Sequence, residues 1–230
     1  MAGNDDVRPR AADLLDRALA AVPEQMRTAA ADRDKLRIRA DAGYFTAELA
    51  HAAVDQGCDF AIAAKRNTAM WRAYASIPDN AWLDADGMAG AQIAAVEYAP
   101  AGWPVHTYTI VRRVRVDADD ISTDQRSRRR RTIDPDQLEL ALDGVVDHAH
   151  AVSFIVTNIP THDHPDHPDG GDTIRQVEAW FRRRTDIEDR IREAKLGAGL
   201  RHLPSASPQV NGVWIGAHCS LGTCRFRCKR

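Results

Sequence analysis

Within some thirty residues the sequence changes period twice, and that stretch constrains the fold more than any other. Lys35-Leu-Arg-Ile-Arg-Ala-Asp41 alternates polar and apolar residues, which puts Leu36, Ile38 and Ala40 on one face of a strand. Asp41-Ala-Gly43 stops it. Thr46 stands where an N-cap belongs and opens a helix to about Gln56, which Gly57 closes. Asp59-Phe-Ala-Ile-Ala-Ala64 is then a short apolar run, the pattern of a strand buried on both faces. Strand, helix and strand at this spacing make a βαβ unit with two parallel strands, and so an α/β sheet.

The flanks extend that unit. Residues 11–30 are rich in alanine and leucine, with Leu14, Leu15, Ala18, Leu19 and Val22 at helical spacing and Pro23 as the break. Between about 66 and 150 the pattern becomes β-rich. Val96-Glu-Tyr98 and His106–Val116 read as longer, antiparallel strands, followed by an arginine run at 126–131. Ala151–Asn158 returns to the buried-strand pattern. After a polar loop, Asp172 begins a helix that runs to about Leu196 and ends at Gly197 and Gly199. The expected architecture is α/β: an incomplete mixed sheet with helices, interrupted by a β-rich insertion.

Composition excludes some functions and leaves others open. No run approaches the ~18 apolar residues that span a bilayer, and the acidic opening Met-Ala-Gly-Asn-Asp-Asp has no secretory pattern. Cys58 stands alone in the body and Cys219, Cys224 and Cys228 crowd the end, so no disulfide framework runs through the chain. A cytoplasmic, nucleoid-associated protein with no membrane partner is the expectation. A formal charge of −2 does not advertise a nucleic-acid binder, but basic groups can be concentrated locally. All but four of the 31 basic residues are arginine. With abundant alanine, that points to a GC-rich gene.

The last helix carries a cluster of chemistry. At 100° per residue, Phe181, Arg184, Glu188 and Lys195 fall within one stripe about 60° wide. Val177, Trp180, Ile187 and Ile191 occupy the neighbouring, core-like stripe. Glu188 then rides at the margin of the buried face, where a carboxylate can enter a cleft. Spacing alone also allows an ordinary Arg184–Glu188 pair on an amphipathic helix. The order and identity of the four residues resemble the Y-R-E-K signature of DDE-type insertion-sequence transposases, with Phe in the Tyr position. Lys195-Leu-Gly-Ala-Gly-Leu-Arg-His-Leu-Pro-Ser205 resembles the segment that follows that signature in one group of these enzymes. Arg39-Ala-Asp-Ala-Gly-Tyr-Phe45 resembles the motif around their second catalytic aspartate, and Gly3-Asn4 with its alanine-rich helix resembles their sequence as well.

The resemblance implies an RNase H-like fold in which three carboxylates hold two Mg²⁺ ions for phosphodiester hydrolysis and strand transfer. Asp41 would be the second carboxylate and Glu188 the third, both as catalytic residues and metal ligands. Arg184, Lys195 and Phe181 would lie against DNA at the transposon ends, although Phe181 lacks the hydroxyl a Tyr would offer a phosphate. The first aspartate would precede them on its own strand. Asp5 and Asp6 stand in a terminal tail and Asp13 and Asp16 on a helix, so the chain is expected to be a truncated transposase, inactive alone. The alternative is a non-catalytic remnant that binds DNA or pairs with a second copy or an intact transposase.

Two stretches suggest metal sites and are read otherwise. His162-Asp-His-Pro-Asp-His-Pro-Asp169 has the prolines and following glycines of a flexible loop. His218, Cys219, Cys224 and Cys228 lack paired zinc-ligand spacing, and residues 211–230 read as an aberrant, frame-shifted tail to a partial catalytic domain at 1–210. Arg128, Arg129, Arg130 and Arg131 are either a solvated loop or a contact to the phosphate backbone.

Overall fold

A computed structural model describes residues 8–26, 36–162, 172–183, 205, 207, 209–211, 213 and 214. The chain divides into two compact units, Met1–Phe181 and Arg182–Arg230. The first contains the sheet.

The βαβ unit forms as its sequence predicts. Strand β1 is Arg37–Ala40 and β2 is Asp59–Ala63, parallel with Ala40 beside Ile62. Helix α1 covers Ala11–Ala20 and ends before Pro23; α2 covers Ala47–Asp55. Thr46 caps α2 by accepting a hydrogen bond from the Leu49 amide at 3.2 Å, and Gly57 takes the positive φ of 68° that lets the chain turn into β2.

The segment expected to be β-rich joins the same sheet. Strands β3 (Leu83–Asp84), β4 (Ala91–Val96), β5 (Tyr108–Asp117) and β6 (His148–Thr157) give the order β1-β2-β6-β5-β4-β3. Every neighbouring pair except β1–β2 is antiparallel. Strand β4 begins five residues before Val96 because Ala91, Ile93 and Ala94 are small or apolar enough to be buried. The segment also holds two helices that its strand-like flanks obscured, α3 (Thr68–Ala75) and α4 (Pro135–Leu142). Their starts follow the usual rules: Asn67 accepts from the Met70 amide, while Asp134 accepts from the Asp136 amide ahead of Pro135 at N1.

Both faces of the sheet are covered. On one, Leu15 of α1, Leu49 and Ala53 of α2 and Met70 of α3 pack on Phe60, Ile62, Val111 and Phe154. On the other, Ile174, Val177 and Phe181 of α5 (Ile174–Arg182) pack on Ala61, Ile110 and Ile155. The alternation of strand side chains is thus used twice, giving three layers. A small third cluster, with Val116, Ile121, Ile133 and Ala141, closes the excursion between β5 and β6. No helix among the described residues is long and apolar enough to cross a membrane.

In the second unit, the described residues form a local turn. Asn211 accepts from the Ser205 amide and donates back to its carbonyl at 2.7 Å, and Gln209–Asn211 is helical.

Candidate functional site

Strand β1 is short and forms the edge of the sheet among the described residues. Asp41 follows it directly, extended at φ −82° and ψ 176°, and exposed. Asp41 is also the N-cap of the 3-10 turn Ala42–Tyr44: its Oδ1 accepts from the Gly43 amide at 2.7 Å. Glycine leaves room for this bond, because a Cβ on residue 43 would stand 2.8 Å from that same oxygen and displace it. The turn is pinned two residues on, where the Phe45 ring packs 5.0 Å from Trp103. Asp-Ala-Gly-Tyr-Phe therefore acts as one device that holds a carboxylate at the end of a strand.

What surrounds that end follows from register. Strand β2 ends near Ala63, which pairs with Ile155 of β6. Strand β6 continues back to His148, and at ~3.3 Å per residue it extends some 20 Å beyond β1 and β2. The excursion at its far end carries the arginine run, so the run projects beyond the same edge as Asp41. Arg128, Arg129 and Arg131 are exposed. Arg130 is half-buried and donates to the Ser122 and Thr123 carbonyls, and Arg131 donates to the Arg126 carbonyl at 3.3 Å. Those three bonds order the loop, and Arg128 and Arg129 are exposed on it.

Helix α5 lies over the Asp41 side of the sheet and is held there by arginines. Arg37 meets Asp172 at 2.6 Å, Arg39 donates to the Trp180 carbonyl at 2.5 Å, and the Arg39 guanidinium lies 5.4 Å from the Trp180 ring centroid. At the sheet centre, Arg112 of β5 pairs with Glu178, whose side chain is wholly buried. These contacts run α5 in the same sense as β1. Sequence reasoning missed them, although Glu178 falls with Ile174, Val177 and Phe181 on the core period of the helix. A carboxylate at such a position needs a buried partner.

Of the residues expected to act on DNA, Phe181 is 9% exposed and packed among Ile174 and Val177, so it offers little surface to a ligand. Arg184, Glu188 and Lys195 lie outside the described residues. So do most of the histidine-rich loop, beyond His162, and Cys219, Cys224 and Cys228. Asp13 and Asp16 stand on α1.

A second polar cluster lies at the far end of β5 and β6, on the opposite face. Burial and the neighbouring Arg113 push the His150 pKa down to about 4. His148 pairs with Asp147, and this bond holds the Asp147 carboxyl below its ordinary value. Arg113 lies 4.0 Å from the Trp82 ring centroid and donates twice to Gln92.

Magnesium binds oxygen donors and keeps several waters, and the exposed Asp41 carboxylate, with one oxygen tied to Gly43, fits such an ion in kind. Among the described residues no three acidic, histidine or cysteine side chains gather to hold a metal.

A three-layer α/β protein with a mixed sheet, and a carboxylate ending the outer of two parallel strands, is compatible with the RNase H-like arrangement. The sequence matches the transposase DDE domain family over residues 3–221, and the chain belongs to that family. No curated protein and no solved structure matches it significantly. Membership supports a role in transposition and implies a DNA substrate; such enzymes generally use a divalent metal.

Proposed function

We propose that Asp41 and Glu188 are two carboxylates of a Mg²⁺-dependent centre for phosphodiester hydrolysis and strand transfer. The observation that carries this reading is the exposed carboxylate of Asp41, oriented by Gly43 at the C-terminal end of β1. That is the edge at which open α/β sheets bind ligands. Divalent ions bound there would stabilise the attacking and leaving oxygens of an in-line displacement. Asp41 contributes charge and a fixed oxygen. Glu188 contributes the second carboxylate from the sequence signature that ends in Lys195. Arg184 and Lys195 neutralise phosphates at the transposon end, and Arg128 and Arg129 extend the contact to flanking DNA.

No residue is assigned as a third carboxylate, because Asp13 and Asp16 stand on a helix rather than at a strand end. The alternative reading is a non-catalytic remnant that binds DNA or pairs with an intact transposase or a second copy. The test is to incubate the chain with duplex DNA carrying the element's terminal repeats, with Mg²⁺ or Mn²⁺. Salt-sensitive binding without cleavage is expected. Robust cleavage abolished by Glu188→Gln would show that another residue completes the centre.

A further inference from the structure

Asp41 ends a strand that is only four residues long and whose sheet partner among the described residues lies on one side only. Such a strand end needs something besides its ladder to keep it from fraying. The side chain two residues before Asp41 supplies it. Residues i and i+2 of an extended chain point to the same face, so Arg39 and Asp41 share the face that α5 covers. Arg39 reaches that helix twice, by its hydrogen bond to the Trp180 carbonyl at 2.5 Å and by its place over the Trp180 ring.

We propose that Arg39 is a positioning residue for Asp41, tethering the end of β1 to α5 so that the carboxylate keeps its place and direction. The inference rests on the reading of Asp41 as a metal ligand. Helix α5 can serve as the fixed point because Arg112 and Glu178 lock it to the sheet centre, far from the edge. Arg37, through Asp172, holds the start of β1 to the start of α5. Arg39 is the tether nearest the carboxylate, and its two contacts differ in kind: the hydrogen bond sets distance, while the ring contact restricts rotation of the strand. Without Arg39 the ladder to β2 and the packing of Ile38 and Ala40 on the opposite face would remain, but among the described residues the link from residue 39 to α5 would be lost.

The Gly43 amide resonance tests this, because its proton is bonded to Asp41 Oδ1. In Arg39→Met, which keeps the apolar stem, that resonance is expected to shift and broaden. Amide exchange over Ile38–Gly43 should quicken at least tenfold while that of β4 and β5 stays unchanged. Arg39→Lys, which keeps a cation and a donor, should restore most of the native behaviour. A native Gly43 resonance and native exchange in Arg39→Met would overturn the proposal, as would an equal loss of protection across the whole sheet, since that is ordinary destabilisation. Mn²⁺ tests the metal-ligand role of Asp41 separately. It should broaden Gly43 in the native chain but not in Asp41→Asn, and failure there would leave the Arg39 result standing.

Discussion

Glu178 on α5 has no exposed surface, and its carboxylate is paired with the Arg112 guanidinium of β5, which keeps 22% of its side chain in contact with solvent. The pair is therefore asymmetric. Arg112→Ala removes this cation from a fully buried carboxylate and is expected to cost about 3–5 kcal/mol, the range for breaking buried pairs. Glu178→Ala leaves a cation that water can reach and should cost less. Replacing both, as Arg112→Met with Glu178→Leu, should recover much of the loss. Denaturant unfolding of the three variants checks the order, and a larger loss for Glu178→Ala would contradict it.

Gly43→Ala separates site geometry from stability. The new methyl must displace Asp41 Oδ1, 2.8 Å away. Removing backbone freedom from the unfolded chain gains about 0.4–1 kcal/mol, which roughly offsets the weakened cap. Melting temperature should therefore barely change while Mn²⁺ affinity falls several-fold. A large drop in melting temperature with unchanged Mn²⁺ binding would be the opposite result.

His150 makes stability depend on pH. Folded, it stays neutral down to about pH 4; unfolded, a histidine takes up its proton near pH 6.5. Between those values the unfolded chain binds more protons, so stability is lost as pH falls from about 6.5 towards 4 and is indifferent to this group above that window. Asp147, whose pKa is lowered by His148, adds a loss only within and below the carboxylate range. Melting at pH 7 and pH 5, compared between the native chain and His150→Gln, isolates this contribution, and the variant should show the smaller drop. Equal drops in both proteins would contradict the assignment.

The arginine run predicts a salt signature. Arg128→Ala with Arg129→Ala should lower the slope of log affinity against log salt by roughly 0.9 for each phosphate left without its cation, equally on any duplex sequence. Fluorescence anisotropy at several salt concentrations gives that slope, and an unchanged value would mark the run as a solvated loop.

The βαβ unit was legible because period 2, an N-cap and an apolar run each specify local structure. The end of the strand at Asp41 was legible from Asp41-Ala-Gly43, and the structure adds how Gly43 and Phe45 hold the turn that follows. Helices α3 and α4 were obscured because each spans only eight residues, too few for periodicity to compete with neighbouring β-rich segments. Their caps, Asn67 and the Asp134-Pro135 pair, were the available signals. The arginine contacts to α5 depend on pairs separated by 66 to 141 residues, which no local pattern encodes. Phe181 shows the converse: a motif position suggested a DNA contact, and packing on Ile174 and Val177 buries it.

If Asp41 and Glu188 serve one metal centre, ions bound there must stand close to both. Fe²⁺ replacing Mg²⁺ generates hydroxyl radicals that cut the polypeptide close to where the ion is bound. With ascorbate and peroxide, the chain should be cleaved near both residue 41 and residue 188. Both cuts should fade together with excess Mg²⁺, and also in either Asp41→Asn or Glu188→Gln. Cleavage near only one of the two positions, or cuts unaffected by both substitutions, would contradict a shared centre.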